Sequence, residues 1–169
     1  MKTWLRPVMR KILRPILRYA LDVHIVVGDQ RRLTVGQRSA LANTIFNVAS
    51  GTVTLGDRVI FSSNVMVLTG RHEFHLGQRA SAYPEWDDGS WGGGQAEVPT
   101  TGFDISIGDG SWIGAGAILL GPLKVGRHAI VAAGSVVTKD VDDHAVVAGV
   151  PARVISDTRN RRSTYVEQE

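Results

Sequence analysis

The sequence has no cysteine, only 7% aromatic residues, and no apolar run long enough to cross a bilayer. Each absence removes a class of function. Without cysteine there is no disulfide, no thiolate-bound zinc and no cysteine nucleophile. A membrane-spanning helix needs ~20 consecutive apolar residues, and none of that length is present. The first residues lack an uninterrupted apolar stretch ending in a small-residue cleavage site. No secretory signal is therefore read, and the cytoplasm is the expected compartment. A formal net charge of +3 is too small to point to nucleic acid, and no run of Lys and Arg alternates with aromatics as a strand-binding groove would. What is there is a chain of 169 residues, enough for one domain with a real core. Its 19 glycines recur at fixed offsets instead of clustering in linkers.

Residues 1–21 carry a pattern of their own. Leu5, Met9, Leu13 and Leu17 form one apolar row and Trp4, Val8, Ile12 and Ile16 a second, with Arg6, Arg10, Arg14 and Arg18 on another row. A spacing of four places each row on one helical face, so the segment reads as an amphipathic basic helix. Pro15 breaks or kinks it, and Pro7 suits a first turn. Such a helix either packs on the end of a fold, covering its edge, or lies on an anionic membrane surface.

From Leu33 onward the period changes. Ile107, Ile113, Leu119, Val125, Val131 and Val137 stand six apart, and the residue after each is small in all but one case. The same comb appears upstream at Leu55, Phe61 and Val67, and more raggedly at Val35 and Leu41. Six matches neither a helix nor an isolated strand; repetition at fixed period marks a repeat architecture. With one short strand and one corner per repeat, three repeats make one triangular coil. Val125 then stacks over Ile107, Val131 over Ile113 and Val137 over Leu119. The strands of stacked coils pair as parallel β-structure, and the comb residues form inward aliphatic ladders. The small neighbour turns the corner, either because a Cβ would crowd there or because φ is positive. The expected fold is an all-β parallel solenoid over residues 22–155.

One interruption stands out. The comb leaves at Val67 and resumes at Ile107, so residues 71–104 form a long excursion. It holds Tyr83, Trp86, Asp87, Asp88, Trp91 and the run Gly92–Gly94. Loops of this length without regular structure are usually functional or disordered. The charged, aperiodic stretch 156–169 reads as a mobile tail.

The run IGDGSWIGAGAILLGPLKVGRHAIVAAGSVVTKDVDDHAVVAGVPARVI, residues 107–155, resembles the hexapeptide-repeat acetyltransferases, and among them the sugar O-acetyltransferases of the maltose and galactoside type. The similarity extends upstream through GDRVIFSSNVMVLTGRH, residues 56–72. The order AGSVVTKDV then AGVPARVI is specific, since solenoid packing alone has no need of it. The resemblance implies a left-handed β-helix, against the usual right-handed crossover. It also implies a homotrimer with three equivalent clefts between subunits, and acetyl-CoA as donor.

By the same resemblance His72, which ends the string LTGRH, matches the family's catalytic histidine. The chemistry is sensible: a sugar hydroxyl is a poor nucleophile until a base takes its proton, and an imidazole with an unperturbed pKa of ~6.5 suits that task. No serine or cysteine intermediate is implied, so transfer is direct. His75 is the rival base or an acceptor contact, because Arg71 stands between the glycine and His72. His24, His128 and His144 lack that context and read as structural. Trp112 precedes the inward Ile113, so its indole should point outward, against a partner or as a wall of the cleft. Asn64 either bonds the acceptor or ladders at a corner. Ala115 and Ala133 match places where pantetheine lies against the coil. Thr138 and Lys139 match the nucleotide end, and Arg153 an arginine on the nucleotide, where a cation pairs with a phosphate. Each of these also reads as plain solvated surface. A basic residue that some relatives carry three positions beyond Arg153 is Ser156 here. Trp86, Trp91 and Tyr83 either stack on a sugar ring or tie the excursion to a neighbouring subunit.

No metal is implied. A γ-type carbonic anhydrase of this fold needs three converging histidines, two of them in an HxxxxH run, and His72 and His75 are only three apart. Other readings remain: an amino acceptor or a longer acyl-CoA on the same fold, or a non-catalytic solenoid serving as a scaffold or CoA-binding subunit.

Overall fold

A computed structural model describes residues 24–70, 74–75, 78–79 and 99–160. The amphipathic segment 1–21, His72, Tyr83, Trp86 and Trp91 lie outside the described residues.

Parallel strands, most of two or three residues, wind around a triangular prism with three sheets. Sheet A stacks β1 (Ile25–Val27), β3 (Ile45–Asn47), β6 (Met66–Leu68), β11 (Ile118–Leu120) and β14 (Val136–Val137). Sheet B stacks β2 (Leu33–Val35), β4 (Val53–Leu55), β9 (Ile105–Ile107) and β12 (Leu123–Val125). Sheet C stacks β5 (Ile60–Phe61), β10 (Trp112–Ile113), β13 (Ile130–Val131), β15 (Ala145–Gly149) and β16 (Ala152–Asp157). The chain visits the sheets in the order B, C, A, so each coil has one corner of each kind.

The register follows the comb. Ile107 pairs with Val125, Ile113 with Val131 and Leu119 with Val137, each three repeats further along. Across the excursion, Leu55, Phe61 and Val67 pair with Ile107, Ile113 and Leu119. Every one of these side chains is at most 2% exposed, so the ladders are the core. A second inward column stands two positions before each comb position: Val59, Val65, Ser111, Ala117, Ala129 and Ser135 are all fully buried. In sheet B the same place holds Val53, Ile105 and Leu123, so the column is limited to side chains no larger than valine only on the way into sheets A and C. Ser111 meets its polar requirement by donating from Oγ to the Gly126 carbonyl at 2.7 Å.

The coils are not uniform. Upstream, Val35 pairs with Leu55 and Phe46 with Val67, each pair separated by more than three full repeats, which explains the ragged comb. The wider coils hold the two buried phenylalanines, Phe46 and Phe61, edge to face at 5.6 Å. At the far end Val131 pairs with Val147, less than three full repeats on. Val35 is 41% exposed because its strand β2 lies at the end of sheet B.

Two expectations are corrected. The stretch from 156 does not begin a tail: β16 runs antiparallel to β15 through Asp157, and a 3-10 turn follows at Thr158–Asn160. Charge conceals this, because an outer antiparallel strand needs no apolar comb. The excursion also contains regular structure, a short antiparallel pair of β7 (Phe74–His75) and β8 (Gln78–Arg79).

The corner glycines act by close approach. A Cβ at Gly114 would lie 2.5 Å from the backbone N of Ala133, and one at Gly56 2.8 Å from that of Asp109. Positive φ appears two positions later, at Gly110, Gly116 and Gly134 and at the non-glycines Asn64, His128 and His144. Gly114→Ala should therefore destabilise by about 1–3 kcal/mol, since the next coil's backbone must move. Gly116→Asn (φ +67, with open space around it) should cost under about 1 kcal/mol. Urea midpoints of the two variants check the contrast.

Candidate active site

The candidate residues fall on two different corners. On the corner from sheet C to sheet A, the backbones of Ser63, Ala115 and Ala133 stack on successive coils, with Asn64 one position along, level with Gly116 and Gly134. Gly116 N donates to Ser63 O at 3.0 Å and Gly134 N to Ala115 O at 2.8 Å. Ala115 and Ala133 are exposed, each beside an open glycine of positive φ, so a ligand can approach the backbone there. Arg153 joins this corner from β16, opposite Ala148, near where Gly149 N donates to Ser135 Oγ at 3.3 Å. Its guanidinium is exposed and donates to its own strand at the Ala152 carbonyl, 2.8 Å away.

Asn64 is occupied at that corner. Its Oδ1 accepts from Asn43 Nδ2 at 2.7 Å, and both residues have positive φ, so the ladder reading has direct support. Trp112 points outward as its position requires, 48% exposed, in register between Ile60 and Ile130. Its indole Nε1 donates to Ser62 Oγ at 3.0 Å, which fixes the ring toward the coil upstream. Ser62 carries no signal in the sequence, because its role depends on a residue 50 positions away.

Thr138 and Lys139 stand elsewhere. Both are exposed and follow β14 on the corner from sheet A to sheet B. The excursion leaves and returns on that same corner, so the stem next to His72 is there too. His75 lies in β7, its Cα paired with that of Gln78. The two corners are separated by sheet A, whose three-residue strands span roughly 10 Å at ~3.3 Å per residue. One copy of the chain does not bring Trp112 and the stem of His72 together.

The stem is tied closely to the solenoid. Thr69 N donates to Asn47 O, Ser50 N donates to Thr69 Oγ1, and Phe103 N donates to Ser50 O. Asp104 accepts from Thr52 N at 2.6 Å and Thr52 Oγ1 at 2.7 Å, and these bonds hold its carboxyl below the ordinary value.

The remaining corner, from sheet B to sheet C, carries structural polar groups. His128 and His144 stack at 5.3 Å there, beside the exposed pair Arg127–Asp143 at 2.7 Å. Hydrogen bonds from Arg159 hold Asp157 down to about 2. An open depression lined by Asp142, Val154, Ile155 and Asp157 includes none of the candidate residues. Among the described residues no group of three His, Asp or Glu is placed to hold a metal.

Comparison with known proteins decides what the solenoid is. Residues 104–139 match the model of the bacterial transferase hexapeptide (six repeats) family. The chain carries the hexapeptide repeats of that family. It is 32% identical over 116 residues to galactoside O-acetyltransferase of Escherichia coli (strain K12), covering 68% of this chain and 48% of that protein. It is 45% identical over 69 residues to a 2,3,4,5-tetrahydropyridine-2,6-dicarboxylate N-acetyltransferase of Staphylococcus aureus (strain JH9), covering 41% of this chain and 29% of that one. The chain thus spans about half the length, or less, of these relatives. A galactoside acetyltransferase solved in complex with coenzyme A superposes with a TM-score of 0.61 and 27% identity, covering 85% of this chain and 64% of that one. As a hexapeptide-repeat protein of this shape, the solenoid is a left-handed parallel β-helix.

The corner position of Asn64 gives a direct test. Asn64→Gly keeps the left-handed backbone and loses one exposed hydrogen bond, so it should cost less than about 1 kcal/mol. Asn64→Val places a β-branched residue at φ +61 and should cost more. Thermal melts of the two variants check the order.

Proposed function

We propose that this chain is an acetyl-CoA-dependent O-acetyltransferase acting on a hydroxyl of a sugar or glycoconjugate, assembled as a homotrimer with His72 as general base. The observation that carries the proposal is the division of the candidate residues between two corners of a solenoid similar to a CoA-bound galactoside acetyltransferase. Two copies are needed to complete a cleft holding both sets.

The outer faces of the prism support the assembly. Sheet A presents Ile25, Ile45, Met66, Ile118 and Val136 in one row, with Val27, Asn47, Leu68 and Leu120 in another. Sheet C presents Ile60, Trp112 and Ile130. Sheet B presents Thr34, Thr54, Ser106 and Lys124. Apolar rows on two of the three faces supply surface for contact between copies, while the polar face suits water.

In that cleft the imidazole of His72 takes the proton of the acceptor hydroxyl. The oxygen attacks the thioester carbonyl, the carbon–sulfur bond breaks, and the thiolate of CoA recovers the proton from the imidazolium. Ala115 and Ala133 leave room for pantetheine, while Thr138, Lys139 and Arg153 hold the nucleotide end. Asn64, Trp112, His75, Trp86 and Trp91 are the acceptor-side residues in this proposal. An amino acceptor is the second reading, favoured by the 45% identity to an N-acetyltransferase. A panel of sugars and amines with acetyl-CoA, read by thiol release, distinguishes the two. The proposed location is the cytoplasm, with residues 1–21 either covering the end of the solenoid or meeting a membrane surface.

His72→Ala should lower kcat at least about 10²-fold while leaving the trimer and the Kd for CoA within about twofold. Near-normal turnover in this variant rules the mechanism out. Co-sedimentation with anionic vesicles that is lost on removing residues 1–21 is the result expected of membrane contact. Equal partitioning of the two forms, with a lower Tm for the shortened one, assigns the segment to the end of the solenoid.

A further inference from the structure

Arg32 stands out among the described polar side chains. It ends the 3-10 turn Gln30–Arg32, just before β2, in a coil far in sequence from the excursion's return. One nitrogen of its guanidinium, Nη1, meets three carbonyl oxygens: Thr100 at 2.7 Å, Ala49 at 3.0 Å and Val48 at 3.4 Å. Val48 and Ala49 belong to the corner after β3; Thr100 belongs to the returning arm of the excursion. Three carbonyl dipoles aimed at one point repel one another, and a cation with N–H donors resolves that repulsion.

The same corner grips both arms. Thr69, on the outgoing arm, bonds to Asn47 and Ser50, and a Cβ on Gly70 would strike the Ser50 side chain. Phe103, on the returning arm, donates to the Ser50 carbonyl at 3.2 Å. Arg32 adds a charged tie between this corner and Thr100. In sequence His72 stands two positions beyond Gly70. Whatever holds the Asn47–Thr52 corner against both arms sets where the catalytic histidine starts from.

We propose that Arg32 is a positioning residue for acetyl transfer: by tying the Val48–Ala49 corner to Thr100, it holds the stem of the excursion in the register from which His72 reaches the acceptor. This rests on the function proposed above, and it adds a residue that makes no contact with substrate. A displacement of about 1 Å at a reacting group can cost 10²-fold in rate, so loosening the stem is expected to appear in kcat.

The test compares Arg32→Ala and Arg32→Lys with the parent trimer. In Arg32→Ala, kcat should fall about 10- to 100-fold, with the Kd for CoA and the Tm of the solenoid nearly unchanged. Amide exchange at Thr100–Phe103 and at Thr69–Gly70 should accelerate, while exchange in β11 and β13 stays as it was. Arg32→Lys keeps the charge on a single donor group and should recover much of the lost kcat. Unchanged exchange at the stem in Arg32→Ala overturns the tie itself. Faster exchange with normal kcat overturns its link to catalysis. Parallel losses of Tm, CoA binding and kcat, without recovery by lysine, assign Arg32 a purely structural role. If the parent transfers acetyl to no acceptor, the proposed function fails on its own, and the exchange data still decide the tie.

Discussion

Everything in this molecule depends on how closely one coil can lie on the next. Parallel pairing sets the coils ~4.8 Å apart, and at the glycine corners the backbones meet with no room for a side chain. Gly36, Gly56, Gly108, Gly114 and Gly126 stand where a Cβ would come within 3 Å of the following coil. Those contacts pin the register at the corners out of sheets B and C, and a slip at either would displace the strands after it. The inward ladders then supply the burial that the register makes possible. A chain organised this way has little freedom to adjust its framework, and its variation is confined to corners and excursions.

Much of the framework is legible in the sequence for that reason. Ile107, Ile113 and Leu119 can be paired with their partners on the next coil from spacing alone, and that pairing is the observed one. The wider upstream coils are harder to read, because extra residues at the corners shift the phase without leaving a mark in the comb. Phe46 is buried and paired with Val67, although it stands out of step with Leu41. Strand β16 leaves no trace in the comb at all. Its outward-facing Val154 and Ile155 and its charged ends obey no period, since it lies on the outside of the last coil.

The site is legible in its parts and not in its arrangement. Trp112 points outward, as the ladder position of Ile113 beside it requires. Ala115 and Ala133 stack as their spacing of three repeats demands. Placing Thr138 and Lys139 requires the order of the corners, and that order puts them across sheet A from the alanines. The contributions of Ser62 and Arg32 depend on partners 50 and 68 positions away, a distance at which spacing carries no information. A single chain therefore carries the two groups of candidate residues on opposite edges of sheet A. This follows if the chemistry is done between copies.

The unequal coils have one further consequence. Their circuits shorten from the upstream turns through the middle to the last, so the prism tapers along its axis. Stacked rungs of identical girth would offer each end as a template for the opposite end of another molecule, the route by which open β-edges grow into fibres. Here a broad upstream rim would have to match a narrow downstream one, and β16 ends sheet C in the reverse direction at the downstream rim. Taper and reversal together make the ends poor templates for each other, which accords with the sideways assembly proposed above.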